Sequence, residues 1–165
     1  MLVIGAGPLG LGAMEFARIA GARVIAMDIN KNRLKFCTKK LQVLYTINAC
    51  NTNILQHLSN ITNGNMPTVV IDATGNNAAI NKAFAYMAHS ARYVLVDLQK
   101  NEICFSHPGF HKRDATLMRS RNATHKNFEQ VIAAFKTGKV VPANYITHTI
   151  NFYHVGSRFA GLSLP

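Results

Sequence analysis

Residues 2–28 read LVIGAGPLGLGAMEFARIAGARVIAMD, and this stretch decides the fold. The apolar run Leu2-Val3-Ile4 leads into Gly5-Ala6-Gly7-Pro8-Leu9-Gly10. A segment with helical spacing follows from Leu11 to Ala20, then a second apolar run from Val24 to Met27 that ends on the acid Asp28. Strand, glycine turn, helix, strand and carboxylate, in that order, are what a dinucleotide site requires. Gly5 permits a sharp exit from the strand, because without a Cβ it takes backbone angles closed to other residues. Gly7 leaves room for a pyrophosphate, and Gly10 lets the helix pack close to the sheet. Pro8 gives no N–H but suits the first helical position. The N–H groups around Leu9 to Leu11 then face the phosphates, with the positive end of the helix dipole behind them.

Asp28 follows Gly5 by 23 positions, near the spacing of about 20 that such sites use. At the tip of the second strand its carboxylate can accept from both hydroxyls of an adenosine ribose. A 2′-phosphate there would meet like charge, so the stretch predicts NAD over NADP.

Working outward, the chain alternates strands and helices. Asn30 to Leu41 reads as a surface helix capped by Asn30, Val43 to Ile47 as a third strand, and Ile54 to Ile61 as a helix. Val69-Val70-Ile71 is a continuous apolar run, as expected of a strand buried on both faces, and it ends in Asp72-Ala73-Thr74-Gly75. A helix is expected over Ala78 to Met87, a strand over Tyr93 to Val96, an edge strand over Ile103 to Phe105 and a loop over Ser106 to His111. Another strand is expected at Thr116 to Met118, then an amphipathic helix at Phe128 to Phe135 closed by Gly138, then a late strand at Tyr145 to Ile150. The whole predicts one α/β domain, residues 1–165, with a doubly wound parallel six-stranded sheet (a Rossmann fold) in strand order 3-2-1-4-5-6.

Composition excludes several classes. With 48% hydrophobic and 15% charged residues the chain can bury a core. The formal net charge of +11 raises nucleic acid as a partner. Its densest cluster, however, is Lys31, Arg33, Lys35, Lys39 and Lys40 on one helix beside the phosphate pocket, and aromatics do not alternate with basic residues as a stacking platform needs. A solvated helix face accounts for the cluster better. Cys37, Cys50 and Cys104 lack CxxC spacing, which excludes a structural zinc site and a disulfide framework and fits a reducing, cytoplasmic location. No apolar run is long enough to span a bilayer. His107 and His111 have the spacing of a helical metal pair, but Pro108 and Gly109 between them predict a loop.

The motifs GAGPLGLG (5–12), DINKNRL (28–34), VVIDATG (69–75), SRNAT (120–124) and ITH (146–148) occur in the order seen in medium-chain, zinc-type alcohol dehydrogenases. The chain resembles their cofactor domain over nearly its full length, and within them the polyol, sugar-acid and threonine dehydrogenase branch. The resemblance implies that Gly5, Gly7, Pro8, Leu9 and Gly10 meet the pyrophosphate and that Asp28 holds the adenosine ribose. It implies Ile29 against the adenine and Arg33 near the same ribose. Ala73, Thr74 and Gly75 would line the middle of the cofactor, with Val96, Asp97, Leu98, Ser120 and Arg121 near the nicotinamide. It also implies hydride transfer from a secondary alcohol of a polyol or sugar acid to NAD, and a homodimer joined edge to edge through the segments Glu102–Phe105 and Thr116–Met118.

One departure is large: nothing in the chain matches the family's preceding catalytic domain, which carries the zinc. The chain is expected to be inactive alone, as the cofactor domain of such an enzyme or, alternatively, as a stand-alone nucleotide-binding or regulatory module. Two departures are local. Asp97 and Arg119 stand where the family usually has glycine, at neighbouring strand ends; an ion pair between them and independent solvation are both open.

Overall fold

In a computed structural model, which describes residues 1–51 and 53–162, six parallel strands form one sheet in the order β3-β2-β1-β4-β5-β6. The strands are β1 (Leu2–Ile4), β2 (Ile25–Asp28), β3 (Tyr45–Asn48), β4 (Val69–Asp72), β5 (Arg92–Leu95) and β6 (Thr116–Arg119). The helices are α1 (Pro8–Ile19), α2 (Lys31–Leu41), α3 (Ile54–Thr62), α4 (Asn77–Ala83), α5 (His107–His111), α6 (His125–Lys136) and α7 (Val155–Leu162). The expected strand order is the observed one. Two compact units divide the chain, Met1–Phe128 and Glu129–Pro165. Among the described residues no helix is long and apolar enough to cross a membrane.

The register is what positions the site. Ile4 pairs with Met27 and Asp72, Asp72 with Leu95, Leu95 with Arg119, and Asp28 with Asn48. The carboxyl ends of all six strands are therefore flush. The backbone continues each ladder by one more bond: Gly5 N–H to the Met27 carbonyl, Ala73 to Ile4, Val96 to Asp72 and Ser120 to Leu95, all at 2.8–3.0 Å. The core of the first unit lies on the sheet, with Leu2, Ile25, Met27, Val70, Ile80 and Tyr93 each at most 1% exposed. Removing such side chains from water is the main stabilising term, about 2 kcal/mol for each large aliphatic group. α1 packs on α2 through Met14 and Cys37, whose sulfurs lie 3.7 Å apart in a site with no solvent exposure.

Several expected elements differ. Ser106–His111 is not a loop: the Ser106 hydroxyl accepts the Gly109 N–H, Pro108 sits in the first turn, and α5 forms. The expected edge strand at Ile103–Phe105 is absent, because side chains take its backbone bonds. The Cys104 N–H donates to Asn81 Oδ1, the Glu102 carbonyl accepts from Asn77 Nδ2, and Phe105 stacks on Phe84 at 4.6 Å. The helix expected as far as Met87 ends at Ala83 and tightens into a 3₁₀ turn at Phe84–Tyr86. β3 begins at Tyr45 because the Val43 N–H still bonds to the Cys37 carbonyl in the left-handed close of α2. In the second unit Gly138 (φ +68°) follows α6, with the N–H of Lys139 returning to the Ala134 carbonyl, as expected. Tyr145–Ile150 forms no strand, and the 3₁₀ turn Pro142–Asn144 precedes it.

Candidate functional site

The turn after β1 is built by two glycines for two reasons. Gly5 has φ +93°, and a Cβ there would lie 2.8 Å from the Ala73 carbonyl oxygen. Gly10 lies in the first turns of α1, where a Cβ would overlap the Gly5 carbonyl oxygen. These positions lock the turn against the β4 loop and the helix against the turn. Gly7 is different: a Cβ there meets nothing within 4 Å. It is the N-cap of α1, with no side chain capping the helix and Pro8 in the first turn. The turn thus leaves a bare cradle at the positive end of a 12-residue helix.

Asp28 ends β2 beside that cradle and is 6% exposed. Its Oδ2 accepts the Ala6 N–H at 2.6 Å and its Oδ1 the Asn30 N–H at 2.7 Å. The carboxylate therefore ties the glycine turn to the start of α2. Arg33 Nη1 stands 4.0 Å from Asp28 Oδ2. It is brought there by the Asn30 cap, which accepts the N–H groups of Asn32 and Arg33 at 2.8 and 3.2 Å. A carboxylate has about four acceptor positions, so Asp28 keeps capacity after its two backbone bonds. Ile29 is 70% exposed and lines a cavity of about 620 Å³ together with Ala49, Cys50, Asn51 and Asn76.

After β4, Asp72 is 1% exposed. Its Oδ1 accepts both the N–H and the hydroxyl of Thr74, at 2.9 and 2.7 Å, and its Oδ2 faces the Tyr93 hydroxyl at 3.2 Å. Burial pushes the carboxyl above its ordinary value, and the bonds from Thr74 and Tyr93 oppose that rise. Asp72 fixes Thr74, whose hydroxyl oxygen accepts the Asn76 N–H at 3.1 Å, and Asn76 in turn caps α4. Gly75 takes φ +57°, and a Cβ there would lie 2.9 Å from Asp97 Oδ2.

A second cavity, of about 770 Å³, opens past β5 and β6; Val96, Asp97, Leu98, Ser120 and Arg121 line it, and so does Leu9 from the start of α1. Arg119 lines it as well. Among the described residues Asp97 and Arg119 make no ion pair within 4.0 Å; Asp97 Oδ1 accepts the Leu98 N–H at 2.7 Å instead. Gly5 and Gly7, with Ala73, Thr74 and Gly75, lie in the turns after the central strands β1 and β4, and Pro8 and Gly10 lie at the start of α1. Residues after β3 were not anticipated. Ala49, Cys50 and Asn51 belong to the same row of strand ends, with the Cys50 N–H on Asn48 Oδ1 and Asn48 Nδ2 on the Ile29 carbonyl. The rule that drew attention to the ends of β4, β5 and β6 applies equally to β3. Among the described residues no three or more of His, Cys, Asp and Glu gather as a metal set, so these residues do not fit a catalytic zinc. His107 and His111 do share a helix face, with ring centres 5.8 Å apart.

This geometry has relatives. Residues 8–137 match the family model described as zinc-binding dehydrogenase. L-galactonate-5-dehydrogenase of Escherichia coli K12 is 36% identical over 152 residues, which is 92% of this chain and 44% of that protein. D-xylulose reductase of Scheffersomyces stipitis is 30% identical over 136 residues, 82% of this chain and 37% of that protein. A crystal structure described as a short chain alcohol dehydrogenase from E. coli CFT073, complexed with cofactor NADH, superposes with a TM-score of 0.86 at 28% identity, covering 99% of this chain and 48% of that one. The chain spans less than half the length of these relatives. A flush row of strand ends, a glycine turn closed on the β4 loop and a match over most of its length together make this chain a member of the zinc-binding dehydrogenase family.

Proposed function

We propose that this chain is the NAD-binding domain, residues 1–165, of a zinc-dependent dehydrogenase that oxidises a secondary alcohol of a polyol or sugar acid. When bound, NAD supplies the hydride acceptor. The observation that carries the reading is the bare cradle at Gly7 next to the buried carboxylate of Asp28. In this reading Gly5, Gly7, Pro8, Leu9 and Gly10 hold the pyrophosphate, and the free acceptor capacity of Asp28 takes the adenosine ribose hydroxyls. Ile29 covers the adenine and Arg33 lies near the ribose. Ala73, Thr74 and Gly75 line the middle of the dinucleotide, and Val96, Asp97, Leu98, Ser120 and Arg121 its nicotinamide end. The zinc ligands are supplied by another part of the enzyme, since the described residues form no such set. The named relatives, a sugar-acid dehydrogenase and a sugar reductase, favour the enzyme over a stand-alone module.

The same reading includes a cytoplasmic location and a homodimer. β6 is the outer strand of the sheet, all four of its residues are exposed, and it offers an unpaired edge for a second copy.

Titration calorimetry with NADH and NADPH tests the central point. NADH is expected to bind at least about tenfold more tightly, because a 2′-phosphate would face the Asp28 carboxylate at close range. Equal affinity for the two, or no binding of either, overturns the reading.

A further inference from the structure

The carboxylate of Asp97 is held from two sides. Its Oδ1 accepts the N–H of Leu98 at 2.7 Å, and its Oδ2 lies against Gly75, where an added Cβ would come within 2.9 Å. The residue stands one position beyond the last ladder bond of β5, from the Val96 N–H to the Asp72 carbonyl. Its charge therefore sits at a place set by the sheet rather than by a long flexible side chain. It lines the cavity of about 770 Å³ past β5 and β6. The other charged groups lining that cavity are Arg119 and Arg121, and all three residues are exposed. Among the described residues neither guanidinium pairs with Asp97 within 4.0 Å.

A fixed charge at the nicotinamide end acts on the one property that distinguishes the two forms of the cofactor. The oxidised ring carries a positive charge and the reduced ring carries none, while the rest of the molecule is the same. We propose that Asp97 makes this site discriminate oxidation state, tightening binding of the oxidised dinucleotide relative to the reduced one. The inference rests on the cofactor placement proposed above. The two arginines act in the opposite sense, and solvent and salt screen all three charges; the arginine charges end long side chains free to turn away, whereas the Asp97 carboxylate is fixed by the Leu98 N–H. Hydride acceptance removes the ring's charge, so Asp97 grips the form that enters an oxidation and loosens on the form that leaves.

The test compares affinities for NAD, NADH and ADP-ribose in the chain itself and in Asp97→Asn, which keeps the shape and removes the charge. A partly screened unit charge beside the ring corresponds to roughly a 3- to 10-fold effect. The ratio of the NAD to the NADH dissociation constant is expected to rise by that factor in the variant. Affinity for ADP-ribose, which lacks the nicotinamide, should stay within about twofold. Asp97→Gly provides a second removal of the charge and should raise the ratio in the same direction. A ratio unchanged in both variants, or NAD and NADH weakened equally, overturns the proposal. If the unsubstituted chain binds neither ADP-ribose nor NADH, the cofactor reading itself fails, an outcome distinct from an unchanged ratio.

Discussion

β1 and β6 are parallel strands of one sheet, yet they live in opposite environments. Leu2, Val3 and Ile4 are at most 4% exposed, and the turn that follows them is closed by Gly5, Gly10 and the carboxylate of Asp28. Thr116 to Arg119 are all exposed, with Leu117 at 40% and Met118 at 46%, and the residues beyond them line an open cavity. The acids follow the same division. Asp28 accepts from Ala6 in the β1 turn as well as from Asn30, and Asp72 from Tyr93 on the neighbouring strand as well as from Thr74, whereas Asp97 bonds to its own neighbour and faces a cavity. The turn after β1 is tied to its neighbouring loops by the chain's own hydrogen bonds, while among the described residues the Asp97 carboxylate past β5 is tied only to the next residue.

That contrast can be broken by substitution. The largest effect is expected at Gly10→Ala, whose methyl would overlap the Gly5 carbonyl. Thermal unfolding should show a loss of about 3 kcal/mol or more, with dinucleotide binding abolished. A well-folded Gly10→Ala chain that still binds would show that the turn is loose. Next comes a matched pair in the sheet: Leu2→Ala should cost about 3 kcal/mol and Leu117→Ala no more than about 0.5 kcal/mol in urea unfolding. Equal costs would erase the difference between the two strands.

A smaller effect than that of Gly10 or Leu2 is expected at Asp72. Burial raises its folded-state pKa above the unfolded value, so the folded chain holds the proton more tightly. The stability this contributes is fully present below the ordinary carboxylate range and is lost as pH rises through the raised value. Asp72→Asn should therefore flatten the decline in stability from pH 4 upward. Its cost at low pH should be about 1 kcal/mol, because an amide oxygen can still accept from Thr74. An unaltered pH profile would remove Asp72 from that account.

The central half of this architecture was legible because its constraints are local. Gly5 and Gly10 are needed by contacts within a short turn, Asp28 ends an apolar run, and Val69 to Ile71 is apolar without interruption, with Val70 buried and Val69 and Ile71 half-buried. The region from Ile103 to His111 was not legible. Its outcome depends on Asn77 and Asn81, more than 20 residues upstream, taking the backbone bonds that a strand would have used. The His-Pro-Gly-Phe-His segment reads as a turn by composition, and it is the Ser106 cap that makes it helical. In the candidate site, Asp97 and Arg119 were singled out by their departure from a family pattern. Whether they meet is set by side-chain rotamers and a neighbouring N–H, which a sequence does not display. Ala49 to Asn51 escaped notice because the end of β3 carries no glycine or acid to mark it.

The sulfur pair between α1 and α2 has a consequence for the chemistry of the whole chain. Cys37 has no solvent exposure, and burial, together with the nearby Asp28 charge, pushes its thiol up to about 11. It is therefore almost wholly protonated at neutral pH and a poor nucleophile. Cys50 and Cys104 are exposed. Electrophiles and oxidants thus meet two reachable sulfurs and one held in reserve, and the third becomes reactive when the first two helices part.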